Sequence, residues 1–543
     1  MNDQDLKRLI KIEEKLYEYA HDFGLDFHDI EWDIIPDQKM FEIMAYRIPG
    51  NISNWKYGRD YEKIRTMNEN VYDGLPLEVV INSDPSRAYL MKSNTIGQQV
   101  LVMAHVIGHV AFFTMNKYFE ETRKDMIQLL DHANQRFQHY EQNFGIDELE
   151  MIVDAGHALQ LHSSPFDNDS EEIRKQRVFK MRKRQDHKIN KSQFRDLLDT
   201  DDEDVVTMDI NLYNQKLLRR IKQQTPIEPA GDLLRYVIDN STKLEDWQKD
   251  VLEILRQEGR YFWPQIQTKY MNEGFATYWH EKLVHKLWED KLLNNDDMAQ
   301  FNYSNSLVKA MHSKSMNPYA IGCKMWTDIV DRWDKGQHGR EYDNTTDSKE
   351  KENWNTKETG AGHKKMFEVL RSYTDWFFMQ DFLTVELVHD MNMYVFVVKE
   401  GHDSIDLVRT KHDAAQIRDL IVNSFAHSQI PSIEIHSINY ADSGVMYLKH
   451  NYSGAELQMK YCTETMKHLV DIWGRPVILD TVVQKKPVLI RLDTVGKLEL
   501  HELAVPPVDP LSGSGSSFSM VPDMTPVTLD ISSLWKMKFP TLR

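Results

Sequence analysis

Ala104-His105-Val106-Ile107-Gly108-His109 and, far along the chain, Met271-Asn272-Glu273-Gly274-Phe275-Ala276-Thr277-Tyr278 are the stretches whose reading decides the fold. Read as helices, they place two imidazoles one turn apart on one face and bring a carboxylate to them from a second helix. Two histidines and a glutamate are three protein ligands for a divalent metal, zinc first, with a position left for water or substrate. The neighbouring residues support this reading. His105 and His109 sit in the uncharged apolar run 100–113, and Glu273 sits between Met271 and Phe275. Each polar group there needs a partner that offsets its desolvation. One cation would serve all three; hydrogen bonds among them are the competing reading.

In the usual motif with this histidine spacing the first histidine is followed by a glutamate that acts as general base, and here that position is Val106. A substitute base would come from Glu141, Asp154, His157 or His280. His280 lies seven residues after Glu273, on the same helical face, and fits a base, a fourth ligand or a partner that orients a ligand. Together with His157 and His162 it also leaves room for a second metal.

Composition bounds the rest. A chain of 543 residues exceeds what one hydrophobic core organises, so two or three domains are expected. Hydrophobic residues at 41% and charged residues at 28% place it among ordinary globular proteins. The formal charge of -18 opposes general attraction to nucleic acid or anionic lipid. A local basic stretch at 174–191 reads as a solvated helix face or loop. Cys323 and Cys462 form no disulfide or zinc framework, and the N-terminus shows no basic region followed by an apolar one, so a reducing, cytoplasmic location is expected. The run 100–113 is too short to span a bilayer and reads as a buried helix.

The fold class expected is α+β. Helical periodicity dominates to about His162, interrupted by a strand-like run at 77–81 and the turn Asn82-Ser83-Asp84-Pro85. The histidine helix should start after Asn94 or Thr95. Residues 163–203 read as a charged insertion, and helical spacing returns from 233 to 292, carrying Glu273. A mainly helical domain 1–334 would then lead through a polar linker 335–362 to a smaller domain 363–505, with a Ser/Gly-rich tail 506–543. In the smaller domain we read strand 393–399, helix 413–424, strands 432–439 and 445–450, helix 454–473 and strand 476–482, the β-α-β-β-α-β order of ferredoxin-like domains. A further strand at 487–492 would extend that sheet. Asn317-Pro318-Tyr319 reads as a helix-entry turn, and Tyr261, Phe262 and Trp263 read as core. Neither a phosphate-cradling glycine loop nor a Gly-x-Ser-x-Gly elbow occurs.

Two resemblances follow from these residues. The segment 272–278 is similar to the zinc-glutamate helix of gluzincin metallopeptidases, and 102–109 resembles their first helix, with Val106 and the long gap from His109 to Glu273 as departures. Over about residues 5–500 the ordered series Asp26-Phe27, Trp55-Lys56-Tyr57-Gly58, Val80-Ile81-Asn82-Ser83-Asp84-Pro85, His105-Val106 with His109, Asp246-Trp247-Gln248 with Asp250, Tyr261-Phe262-Trp263-Pro264-Gln265, Met271-Asn272-Glu273-Gly274, Tyr278-Trp279-His280 and Asn317-Pro318-Tyr319 resembles the stage V sporulation protein R (SpoVR) family, in which valine follows the first histidine. The resemblance implies a cytoplasmic protein of spore cortex formation, or its counterpart in phages and non-sporulating bacteria. It also implies a serine protein kinase and a von Willebrand-like protein as partners. The reaction stays open: metal-dependent hydrolysis of an amide-type bond, or a non-catalytic scaffold of metallopeptidase shape.

Overall fold

A computed structural model describes residues 3–49, 51, 54–70, 77–162, 230–311, 316–356, 359–400, 405–409, 411–425, 430–440, 443–452 and 454–503. The basic stretch 174–191, the insertion 163–203 and the tail 506–543 lie outside these residues.

The elements run α1 (Asp3–Asp22), β1 (Ile30–Ile35), α2 (Asp37–Tyr46), α3 (Trp55–Asn70), β2 (Glu78–Ile81), β3 (Ser86–Met91), α4 (Ile96–Met115), α5 (Met126–Phe144) and α6 (Ile146–Leu159). After the insertion come α7 (Leu233–Asn240), α8 (Asp246–Gln267), α9 (Lys269–Glu289), α10 (Asn295–Val308), α11 (Pro318–Asp334), α12 (Gly339–Asn344), α13 (Ser348–Glu352), α14 (Ala361–Ser372), α15 (Asp375–Phe382) and α16 (Val385–Asp390). The chain continues with β4 (Phe396–Glu400), β5 (Ile405–Arg409), α17 (Ala414–Phe425), β6 (Ile433–Tyr440), β7 (Val445–His450), α18 (Met459–Trp473), β8 (Val477–Val483), β9 (Lys486–Leu492) and β10 (Leu498–Glu502).

These elements form two units, each assembled from separated stretches. The first holds described residues of 3–145 and 261–425, and the second those of 146–260 and 430–503. In the first unit a three-stranded sheet of order β1-β3-β2 pairs β1 parallel and β2 antiparallel to β3. α4 is the core helix of this unit. Thr95 caps it, accepting from Gln98 N while Gln98 Oε1 accepts from Thr95 N at 2.9 Å, the reciprocal capping box that fixes its start. A helix apolar all round belongs inside a core, and α4 is buried on every face. It is the one helix among the described residues long and apolar enough to cross a membrane, and 89% of its most apolar window is buried within the fold.

Glycines set how closely the site helices approach. A Cβ on Gly108 would lie 2.6 Å from Ala276 Cα, and one on Gly274 would lie 2.2 Å from the Gly322 carbonyl carbon. Thus α4, α9 and α11 touch backbone to backbone beside the histidines and Glu273. The start of α9 is fixed by Asp375, whose Oδ1 and Oδ2 accept from Met271 N and Tyr270 N, both at 2.9 Å.

In the second unit a five-stranded sheet has the order β10-β9-β8-β7-β6, antiparallel except for β7 and β8. That parallel pair requires a crossover, which α18 supplies. The ferredoxin-like arrangement expected from the sequence does not form. β4 pairs with β5 in a separate two-stranded sheet, and α17 buries Ile417, Ile421, Val422 and Phe425 in the core of the first unit. The expected strand and helix are present, but the strand pairs with β5 and the helix packs its apolar face in the first unit.

The polar stretch 335–362 also differs from its expected form. It carries α12 and α13 and returns to its own start: Asp334 Oδ1 accepts from Gly360 N at 3.0 Å and from Gly362 N at 2.9 Å, and Thr356 N donates to Lys335 O. Both flanks of the stretch lie in the first unit.

Candidate metal centre

Four side chains converge inside the first unit. His105 and His109 project from α4, Glu273 from α9, and Glu78 from the first residue of β2; one ligand atom from each lies within 4.8 Å of the others. His105 Nε2 stands 3.1 Å from Glu78 Oε1 and 3.5 Å from Glu273 Oε2, and His109 Nε2 stands 3.4 Å from each. Ligands on a tetrahedral ion with bonds of ~2.0–2.1 Å are about 3.3 Å apart, which matches these four spans. His105 Nε2 and Glu273 Oε2 are buried and lack a hydrogen-bond partner. Buried polar atoms seldom go unsatisfied, and these two face the same point. The group could therefore hold a metal ion.

The surroundings fix which imidazole nitrogen is available. Glu281 Oε1 accepts from Asn305 Nδ2 at 2.7 Å and from Lys309 Nζ at 2.8 Å. The Asn305 amide is thereby oriented with Oδ1 toward His280 Nε2, 2.9 Å away, so His280 carries its proton on Nε2 and leaves Nδ1 as an acceptor. His280 Nδ1 lies 2.9 Å from His105 Nδ1, which must then be the donor. On the other histidine, His109 Nδ1 donates to Asn272 Oδ1 at 2.8 Å. Both rings therefore direct Nε2 at the carboxylates, as metal-ligating histidines do when the other nitrogen is held by a hydrogen bond.

The electrostatics agree. Burial alone would raise both carboxyls, but the facing imidazoles reverse this, holding Glu78 far below the usual carboxylate range and Glu273 at about 2. Burial alone would lower both imidazoles; Glu78 raises His105, and Glu273 with Glu78 raises His109 to about 10. Without a metal the two carboxylates favour the protonated form of the facing imidazoles. A divalent cation bound to both rings would take the place of those protons opposite the carboxylates. His280 is pushed well below its ordinary value by burial and by His105, consistent with a neutral ring.

Tyr319 completes the enclosure. Its ring lies 5.7 Å from that of His105 at 29°, and its hydroxyl is pushed well above its ordinary value first by burial and then by the charges of Glu273 and Glu78. Asn317 places it, accepting from Tyr319 N at 2.9 Å and Ala320 N at 3.3 Å and donating to Val308 O and Ala310 O. The helix-entry turn read in Asn317-Pro318-Tyr319 thus also aims a side chain into the site.

The structure brings together His105, His109 and Glu273. Of the residues considered as bases, His280 touches the cluster, through the far nitrogen of His105. Glu141 is exposed on α5, and Asp154 and His157 lie on α6 of the second unit, His157 Nδ1 facing Gln160 Oε1 at 3.3 Å. None of these three joins the cluster. Sequence reasoning missed Glu78, although a carboxylate within the strand-like run 77–81 carries the same desolvation signal that marked Glu273.

A buried centre of two histidines and two carboxylates, held between crossing helices and a strand end, defines a candidate metalloprotein. The chain belongs to the SpoVR-like family: the family model described as SpoVR like protein matches residues 3–430, and that of the SpoVR-like C-terminal domain matches 431–484. It is similar to the uncharacterized protein YcgB of Escherichia coli (strain K12), at 26% identity over 483 residues covering 84% of this chain and 88% of that one. No solved structure matches. The boundary between the two family regions falls where the second unit resumes, at Ile430.

Proposed function

We propose that this chain is a divalent-metal protein, zinc being the fitting ion, that hydrolyses an amide-type bond. The observation that supports it most is the convergence of His105, His109, Glu273 and Glu78 at tetrahedral spans with two buried donor atoms lacking hydrogen bonds. His105, His109 and Glu273 would hold the ion, which when bound supplies polarisation of a carbonyl or of water. Glu78 Oε1 would be the proton acceptor that Val106 does not provide. Tyr319, kept protonated by burial and by the nearby carboxylates, would donate to Glu273 and keep it oriented. Following the family resemblance, we place this activity in the cytoplasm, in spore cortex formation or its counterpart in phages and non-sporulating bacteria. A serine protein kinase and a von Willebrand-like protein would be its partners.

A second reading makes the centre a closed, four-ligand structural site in a non-catalytic scaffold; the position of Glu78 among the ligands and the valine at 106 favour it. Elemental analysis of the purified protein beside a His105→Ala/His109→Ala variant tests the shared premise. One metal per chain, lost in the variant, is expected. Equal metal content in the two samples would overturn both readings.

A further inference from the structure

The turn Asn82-Ser83-Asp84-Pro85 is absorbed by neither the metal centre nor the core. Residues from four segments of the first unit meet around it: His28 ahead of β1, the turn itself, Lys124 from the loop between α4 and α5, and Tyr261 on α8. Asn82 is fully buried, and its backbone N donates to Tyr261 Oη at 2.9 Å. Its side-chain Oδ1 accepts from Lys124 Nζ. A flipped amide would oppose two donors, so Nδ2 is the remaining atom, and it is buried without a hydrogen-bond partner. Thr122, two residues before Lys124, likewise has a buried hydroxyl without one.

Lys124 is partly buried and forms no ion pair among the described residues. Burial lowers its pKa, with Asp84 offsetting only part of the effect. His28 is held by Ser86 Oγ at 2.8 Å and Thr114 Oγ1 at 3.0 Å. Burial and then Lys124 lower its pKa, which disfavours a second positive charge there. The cluster therefore presents an ammonium that Asp84 influences without a direct ion pair, beside a buried N–H donor without an acceptor. A carboxylate or phosphate oxygen satisfies both through charge-assisted hydrogen bonds.

We propose that Lys124 and Asn82 form an oxyanion-binding subsite that takes a carboxylate or phosphate group of a ligand. Asn82 follows the strand that Glu78 opens, about 13 Å further along at ~3.3 Å per residue, so the subsite is separate from the metal centre. The overall charge of -18 disfavours indiscriminate anion binding, so oxyanion affinity would have to be local.

The test is calorimetric titration of the full chain with inorganic phosphate and, in a separate arm, acetate, at constant ionic strength. Saturable binding of one of the two is expected, the preferred one identifying the ligand as phosphorylated or carboxylic. Lys124→Met should weaken it about tenfold or more, with metal content unchanged as the check on folding. Should Lys124→Met prove unstable, Lys124→Arg must still bind, and Asn82→Asp, which supplies an internal counter-ion of the same shape, must not. Failure of both anions to bind, or binding by Asn82→Asp equal to that of the natural chain, would overturn the proposal without touching the metal centre.

Discussion

His105 and His280 share a hydrogen bond between their Nδ1 atoms, 2.9 Å apart, and its direction is set three side chains away by Glu281. The proton on His105 Nδ1 is what leaves Nε2 free to face the carboxylates. Replacing His280 with leucine would leave that N–H buried without an acceptor and the ring free to turn. We expect metal affinity to fall about 10–100-fold. Competition against a chromophoric chelator measures this, and unchanged affinity would show that His105 is oriented by something else.

Gly274→Ala should be severe. The added methyl would sit 2.2–2.3 Å from the Gly322 backbone, and two helix backbones cannot yield as a flexible side chain can. A loss of about 3 kcal/mol is expected, seen as a lower denaturant midpoint. Gly58→Ala is the matched control: it is also helical, with nothing within 4 Å of the added Cβ, and should be neutral or stabilising by about 0.5–1 kcal/mol.

The two carboxylates of the centre should separate on substitution. Glu273→Gln is expected to lose the bound metal, whereas Glu78→Gln should keep it and lose the proton acceptor. In the natural chain, metal at a hundred times its dissociation constant should add about 2.7 kcal/mol of stability, removed by chelation. Elemental analysis and thermal melts of the three proteins decide the matter. Loss of metal from both variants alike would favour the closed structural site.

The second unit should carry its own acid sensitivity. Burial, helped by His450 and opposed by a backbone hydrogen bond at Pro431, lowers His162 from 6.5 to about 4. The folded form then resists a proton that the unfolded chain accepts. The contribution is complete above about pH 6.5 and is lost as pH falls toward 4, amounting to at most about 3 kcal/mol. Urea denaturation at pH 7.5 and pH 5 should show it, and His162→Gln should flatten the difference. An equal slope in the variant would assign the pH dependence to other groups.

What the sequence by itself determined was local. The four-residue spacing of His105 and His109 dictates a common helix face, and Thr95 with Gln98 dictates where that helix begins. A carboxylate between Met271 and Phe275 announces a buried partner because an unpaired charge in a core is too costly. Each of these signals is written within one helix turn or one desolvated side chain. The tertiary structure alone decided which distant groups meet. Glu78 reaches the histidines because β2 lies at an edge of a sheet packed on α4, and Tyr319 because Gly274 and Gly322 let two helices touch. It also decided that α17 joins the first core rather than the five-stranded sheet, so that a correctly placed run of strands and helices did not become a ferredoxin-like domain. Strand pairing and helix crossing depend on which apolar faces compete for the same partner, and that competition is settled between segments hundreds of residues apart, where local pattern carries no information.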